Sequence, residues 1–104
     1  MVIEWLKLRV SPELRDQFIQ KDAEIWTSML ASYPGFLSKE VWINPDVPTE
    51  VVLIIRWATR EQWQSIPPEQ LAKTEQQFAQ AFGESPEIIE SSEYQVRKFP
   101  QVSS

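Results

Sequence analysis

Two carboxylates interrupt apolar stripes on predicted helices, and these acids are the strongest candidates for chemistry in the sequence. Asp22 stands four residues after Phe18 and four before Trp26, so it shares an inward helical ridge with two aromatic rings. Glu75 interrupts a second stripe, which continues to Phe78. A carboxylate on an apolar face has a raised pKa and can exchange a proton with a phenolic substrate. We therefore predict that Glu75 is a general base and that Asp22 orients the substrate or shares its proton.

The alternative for both acids is a place at the rim of the apolar face. There each carboxylate would bond to a tryptophan N–H or to solvent, and it would have no chemical role. This alternative stays open because Asp and Glu are rarely fully buried in folded proteins.

Aromatic side chains in the same segments predict a binding surface for a planar ligand. Trp57 ends a predicted strand, Trp63 lies on the first turns of the next helix, and Trp26 and Phe78 belong to the two helical stripes. We predict that these four residues contact the substrate, and that Arg56 on the most buried strand contacts an anionic group. The alternative is that the aromatic residues are core and that the charged strand residues form cross-strand pairs. The charged residues concerned are Glu4, Lys7, Lys39, Glu40 and Arg56.

The residue types that are missing exclude several kinds of active site. The chain has no histidine and no cysteine, which excludes Ser-His and Cys-His nucleophiles, thiolate metal sites and the usual haem ligand. Its only glycines are Gly35 and Gly83, so there is no glycine-rich phosphate loop. We predict that the protein uses no cofactor and no metal.

The charge and hydropathy of the chain limit the kinds of partner that it can bind. Ten basic and 15 acidic residues give a formal net charge of −5, the opposite sign to that needed for binding the phosphate backbone of nucleic acids. No stretch approaches the roughly 18 apolar residues of a transmembrane helix, and the amino terminus does not resemble a secretory signal. We expect a cytoplasmic protein that has no nucleic-acid partner and no membrane contact.

The elements that must position these residues follow from periodicity and from helix-breaking residues. The run from Glu50 to Trp57 is β-branched and apolar at both parities, which predicts a central strand buried on both faces. The other predicted elements are a strand at 2–10, a helix from Ser11 and Pro12 to about Ser32, a strand at 36–43, a helix opened by a Thr59 and Gln62 capping box, a helix from Pro68 or Glu69 to Phe82 closed by Gly83, a loop at 84–92 and a last strand at 93–99.

This order of elements predicts an α+β fold of the ferredoxin-like type. Two βαβ-like halves, βαββαβ in all, give a four-stranded antiparallel sheet with the helices on one face. A single domain accounts for residues 1–104, with a polar tail at 100–104. Large apolar residues such as Trp5 and Trp42 are left for the uncovered face, so we predict that a second copy buries it in a homodimer.

Two segments carry a family resemblance. The turn Tyr33-Pro34-Gly35-Phe36 and the run from Val52 to Trp63, which includes Trp57-Ala58-Thr59-Arg60-Glu61, resemble the antibiotic biosynthesis monooxygenase (ABM) superfamily. The chain as far as Phe99 is similar to a group of uncharacterised small proteins of that superfamily, known mostly from cyanobacteria.

The resemblance implies a dimeric α/β barrel with a pocket between the sheet and the helices of each subunit. Activities in the superfamily include cofactor-independent oxygenation of aromatic polyketides and haem degradation. Trp57 matches the strand-three tryptophan of the superfamily, whereas the histidine of the haem degraders falls near Gln76, which disfavours haem degradation. We therefore expect a cofactor-independent monooxygenase for a small aromatic or quinone-like molecule. The alternative is a non-catalytic dimer that binds a small ligand or a partner.

Overall fold

The computed structural model describes residues 1–97, which form a four-stranded antiparallel sheet with its helices on one face. The sheet order is β2-β3-β1-β4, and this confirms the predicted α+β, ferredoxin-like arrangement. The elements are β1 (Val2–Arg9), α1 (Arg15–Asp22), α2 (Ser28–Ala31), β2 (Phe36–Ile43), β3 (Glu50–Trp57), α3 (Arg60–Gln64), α4 (Pro68–Phe82) and β4 (Glu87–Gln95). A 3-10 turn (Pro12–Leu14) precedes α1, and a π-helical turn (Ala23–Thr27) joins α1 to α2.

Strand β3 lies between β2 and β1, as its apolar composition predicts. Its odd-numbered side chains, from Val51 to Trp57, are buried under the helices, and Ile54 is buried on the opposite face. The register places Val2 and Phe36 on either side of Trp57. The core under the helices consists of two clusters, one around Phe18 and the other around Trp57.

The opposite face of the sheet, called here the open face, has no helix packed on it among the described residues. Strand alternation and register assign to it the aromatic and aliphatic residues Ile3, Trp5, Trp42, Val52, Ile54 and Tyr94. Trp42 is 49% exposed and Tyr94 is 56% exposed. Large apolar side chains therefore lie in solvent on this face.

The turn that joins the long helical segment to β2 packs closely against the side chain of Gln62 on α3. Gly35 has a φ of +91°, and a Cβ at this position would lie 2.3 Å from Oε1 of Gln62, so both the backbone angle and the space require glycine. The hydroxyl of Thr59 accepts a hydrogen bond from the backbone N–H of Gln62 at 3.1 Å. This confirms the predicted cap at Thr59. The side chain of Gln62 contacts that hydroxyl at 3.1 Å, which is not the backbone contact of a complete capping box.

Two predictions about elements are wrong in detail. Ser11 was expected to cap a helix, but its side chain makes no capping bond, and a 3-10 turn begins at Pro12. The last strand runs from Glu87 to Gln95, where a loop at 84–92 and a strand at 93–99 were predicted. Backbone pairing with β1 forms this edge strand, and most of its side chains are exposed, so it has no apolar alternation to read. Phe99 and the polar tail lie outside the described residues.

Candidate functional site

A cavity of about 580 Å³ lies between the sheet and the helices. Its volume falls within the roughly 300–1,000 Å³ typical of small-molecule sites. The sheet contributes Glu4, Leu6, Leu8, Lys39, Leu53, Ile55 and Ile88. The helical segments and the loops before α4 and β4 contribute Phe18, Asp22, Trp26, Leu30, Trp63, Ile66, Leu71, Glu75, Phe78, Ser85 and Pro86. The lining is therefore mostly aliphatic and aromatic, with a few charged groups.

Asp22 and Lys39 form an ion pair inside this cavity. The Nζ atom of Lys39 lies 2.7 Å from a carboxylate oxygen of Asp22, and each side chain is only 3% exposed. Burial raises the pKa of Asp22 above its ordinary value of 3.8, and the neighbouring ammonium of Lys39 opposes that rise. The rim alternative for Asp22 is therefore wrong, because its carboxylate is enclosed.

Glu4 is a second carboxylate on the floor of the cavity. It is paired with Ile55 on one side of β3, and Lys39 is paired with the same Ile55 on the other side. The two charged residues are thus two strand spacings apart, about 10 Å between backbones, and their long side chains shorten that separation. Burial raises the pKa of Glu4 above its ordinary 4.5, and the charge of Lys39 partly offsets the rise.

The π-helical turn keeps one ridge of the helical segment over the cavity. Phe18, Asp22, Trp26 and Leu30 are spaced by four residues and all line it. In a straight α-helix each step of four residues turns about 40° past a full circle, so the ridge would drift away from the cavity. The wider i→i+5 turn from Ala23 to Thr27 takes up that drift. Such turns are frequent at functional sites.

Glu75 lies at the edge of the cavity and is exposed to solvent. Its carboxylate accepts a hydrogen bond from the hydroxyl of Ser85 at 2.8 Å. The buried polar residue of α4 is its neighbour Thr74, which bonds back to the carbonyl of Gln70 at 2.7 Å. The surroundings of Glu75 therefore match the rim alternative.

The predicted aromatic contacts separate into two groups. Trp26, Trp63 and Phe78 line the cavity, as a ligand-binding role requires. Trp57 does not line it: this side chain is fully buried and packs edge-on against Phe36, with 5.7 Å between ring centroids. Trp57 is therefore a core residue, as the alternative interpretation expected, and none of its surface is accessible for a ligand to stack on.

Arg56 lies on the other side of the sheet from the cavity. Because side chains alternate along a strand, Arg56 faces away from the helices when Ile55 and Trp57 face them. Its guanidinium pairs with the carboxylate of Glu40 on the neighbouring strand. Arg56 therefore does not line the cavity and forms the cross-strand pair that was its alternative, and its contact with an anionic group stays a prediction.

Lys39 and Glu4 are the cavity residues for which a cross-strand pair was expected. The signal that identifies them is the one that singled out Asp22, a charge that interrupts an apolar face. Glu4 shares its strand face with Val2 and Leu6, and Lys39 shares its face with Val41. Within residues 1–97 no group of three or more Asp and Glu side chains is arranged to hold a metal ion.

The family model for antibiotic biosynthesis monooxygenases matches residues 1–66 of the chain. The chain belongs to this family. The matched segment contains Glu4, Asp22, Lys39 and Trp63, whereas α4 and β4 lie beyond it. No curated protein matches the chain.

Solved structures share the fold of this ABM chain at low identity. ActVA-Orf6 of Streptomyces coelicolor, a monooxygenase in complex with nanaomycin D, superposes with a TM-score of 0.74 at 15% identity over 98% of this chain and 92% of that one. A mutant of SnoaB, a cofactor-independent oxygenase from Streptomyces nogalater, gives 0.70 at 19% identity over 94% of both chains. A conserved protein from Methanosarcina mazei gives 0.61 at 16% identity over 89% of both. These likenesses establish the fold.

Within residues 1–97 no helix of this ABM chain has both the length and the apolar composition needed to cross a membrane.

Proposed function

We propose that the protein is a cofactor-independent monooxygenase that acts on a small aromatic or quinone-like molecule held in the cavity. The observation that carries the proposal is the enclosed Asp22–Lys39 pair at the wall of a mostly apolar cavity of about 580 Å³. Family membership and the oxygenases among the structural neighbours support the reaction class.

The reaction requires the substrate to supply electrons to oxygen. A phenol or an enolisable ketone loses a proton, and the resulting anion transfers an electron to O₂ and combines with it through carbon. Protonation of the peroxide and loss of water then convert one CH₂ group and one O₂ into one C=O group and one water. The protein must therefore remove a proton, stabilise the anion and exclude bulk water.

In this proposal the three tasks fall to different side chains. Asp22 is the better candidate for the base, because it lines the cavity and burial raises its pKa. Lys39 holds Asp22 in place at 2.7 Å and supplies a positive charge where the substrate oxygen becomes negative. Trp26, Trp63 and Phe78 provide apolar surface for the ring. Glu75, at the edge, is placed to relay a proton to solvent.

Oxygen consumption tests the proposal. Anthrone, and naphthols whose ring position para to the hydroxyl is free and becomes a CH₂ in the keto tautomer, are added to the protein in an oxygen electrode, with the uncatalysed oxidation subtracted. We expect turnover that falls about 100-fold or more in Asp22→Asn, the usual scale for loss of a general base. Asp16→Asn, an exposed acid on the same helix, is the matched control and should keep full activity. Full activity in a folded Asp22→Asn protein would contradict the assigned role.

We also propose that two copies associate through the open face. The exposed rings of Trp42 and Tyr94 and the neighbouring Trp5 and Ile3 provide apolar surface that a second copy can cover. The family resemblance implies the same dimeric barrel. Native mass spectrometry should give twice the mass of the chain, and a monomer at micromolar concentration would contradict the dimer.

The alternative function is a dimer that binds a ligand without transforming it. The hydrogen-bonding distance between Asp22 and Lys39 favours this alternative, because a satisfied pair can serve structure alone. Binding of quinones and quinols without any oxygen consumption above the uncatalysed rate would favour it over the oxygenase.

A further inference from the structure

We infer that the cavity selects uncharged hydroxy-aromatic or quinone ligands and rejects anionic ones, because its charged lining is acidic in excess. The inference deepens the proposed function and rests on it for the choice of an aromatic ligand. It concerns binding, which is measured separately from oxidation.

The charge balance of the cavity follows from four side chains on four elements. In the part of the chain that the structure describes, the charged residues lining the cavity are Glu4 on β1, Asp22 on α1, Lys39 on β2 and Glu75 on α4. Three carboxylates thus face one ammonium. Lys39 is already engaged by Asp22 at 2.7 Å, and within residues 1–97 Glu4 forms no salt bridge.

The residue paired with Glu4 on the edge strand does not reduce the excess of acidic groups around the cavity. Glu93 on β4 is paired in register with Glu4, so it adds another acid beside the cavity. Its charge is offset by Arg60, whose Nε lies 2.7 Å from the Glu93 carboxylate. Arg60 therefore has a partner of its own.

An anionic ligand would add a negative charge to a cavity in which the carboxylates of Asp22 and Glu4 are already destabilised by burial. Burial raises the pKa of both Asp22 and Glu4, so each carboxylate already gains less from its surroundings than it would from water. An uncharged hydroxyl can donate to a carboxylate, and a quinone oxygen can accept from Lys39, without changing the net charge.

Titration calorimetry near pH 7.5 with two matched ligands tests the inference. α-Naphthol carries one weakly acidic hydroxyl and is uncharged at this pH, and its ortho-sulfonate adds one permanent negative charge next to that hydroxyl. We expect the wild-type protein to bind α-naphthol at least about tenfold more tightly, the scale of one charge repelled at several ångströms in a medium of effective dielectric constant near 20.

Two substitutions should move this ratio in opposite directions. Glu4→Gln removes a negative charge and should narrow the preference several-fold, whereas Lys39→Met removes the positive charge and should widen it. A loss of cavity shape alone would not give opposite shifts. Glu13→Gln and Lys73→Met change exposed residues outside the cavity and should leave the ratio unchanged. If Lys39→Met fails to fold, Glu4→Gln still decides the question.

Equal affinities for the two ligands, a ratio that Glu4→Gln does not alter, or no heat from α-naphthol at millimolar concentration would each overturn the inference. Charge selection without oxygen consumption would support the inference and contradict the oxygenase. Oxygen consumption without charge selection would support the oxygenase and contradict the inference.

Discussion

The two faces of the sheet use charged residues in different ways. Under the helices a few charges are enclosed among apolar side chains, and acids outnumber bases around the cavity. On the open face, charges from neighbouring strands are paired: Arg56 with Glu40, Lys7 with Glu50 at 2.9 Å, and Arg9 with Glu87 at 3.0 Å. Those pairs stand among exposed aromatic rings such as Trp42.

This difference indicates two kinds of surface. The strand charges of the open face that are paired within residues 1–97 leave this face free to be covered, because a second copy packing on them would bury ion pairs and not lone charges. Charges that are left in excess inside the cavity cost stability, and they are typical of sites that bind or transform a ligand. The same residue types therefore serve different purposes according to the face they occupy.

Removal of a large ring from each face should give the largest effect and the clearest contrast. Phe18 is buried and packs edge-on against Phe78 and Phe82, with ring centroids 5.6 and 5.7 Å away. Phe18→Ala should lower the free energy of unfolding by about 3–5 kcal/mol. Trp42→Ala should leave a folded chain that sediments as a monomer. Circular dichroism melting and sedimentation velocity measure the two outcomes.

The contrast between the faces would be broken if Trp42→Ala melted as early as Phe18→Ala at a concentration where both are monomeric. A Trp42→Ala protein that still sediments as a dimer would instead show that the copies associate elsewhere.

Breaking one ion pair on each face should give the next largest difference. Lys39→Met leaves the enclosed Asp22 without a partner, which costs up to about 3–5 kcal/mol for a fully buried pair and less if Asp22 takes up a proton. Arg56→Met breaks the pair with Glu40, which is partly exposed in the single chain, and should cost the monomer about 0–1 kcal/mol. Urea denaturation near pH 7.5 measures both free energies of unfolding.

The double variant Lys39→Met/Asp22→Asn is the matched control for the buried pair. Because it removes both charges together, it should recover much of the stability that Lys39→Met loses. Equal losses in Lys39→Met and Arg56→Met would mean that enclosure of the Asp22–Lys39 pair has no energetic consequence.

The central part of the fold could be predicted because each element had a strong local signal. β2 and β3 run over the predicted residues, and Gly83 closes α4 with a φ of +97°. The edge strand β4 could not be placed, because its hydrogen bonds to β1 form it and its exposed side chains follow no apolar pattern.

The site was predictable where one element sufficed and was missed where several elements meet. Asp22 interrupts a helical stripe, so the helix alone identifies it. Glu4 and Lys39 become cavity residues only because both are paired with Ile55, a register that joins three strands. Arg56 was misplaced for the same reason, since only strand alternation relative to the helices shows which face it occupies.

The smallest expected effect, and the sharpest test of the contrast, is the pH dependence of stability for one glutamate on each face. Burial raises the folded pKa of Glu4 under the helices. Hydrogen bonds from Lys7 and Asn44 lower the folded pKa of Glu50 on the open face. Because the pKa of Glu4 is higher in the folded than in the unfolded state, Glu4 lowers the stability of the protein at pH values above its folded pKa, and this loss disappears below the unfolded pKa of 4.5. Because the pKa of Glu50 is lower in the folded state, Glu50 adds stability at pH values above 4.5, and this gain is lost as the pH falls through its folded pKa.

Glutamine substitutions should therefore give differences of opposite sign. Near pH 7.5 Glu4→Gln should be more stable than wild type and Glu50→Gln less stable, and both differences should shrink as the pH is lowered through 4.5 and below. Thermal unfolding across this range, with Glu13→Gln as the exposed control, measures the differences at each pH. Any constant effect of the amide cancels, because only the change with pH is compared. If the two differences changed in the same direction as the pH is lowered, the contrast between the buried Glu4 and the hydrogen-bonded Glu50 would be contradicted.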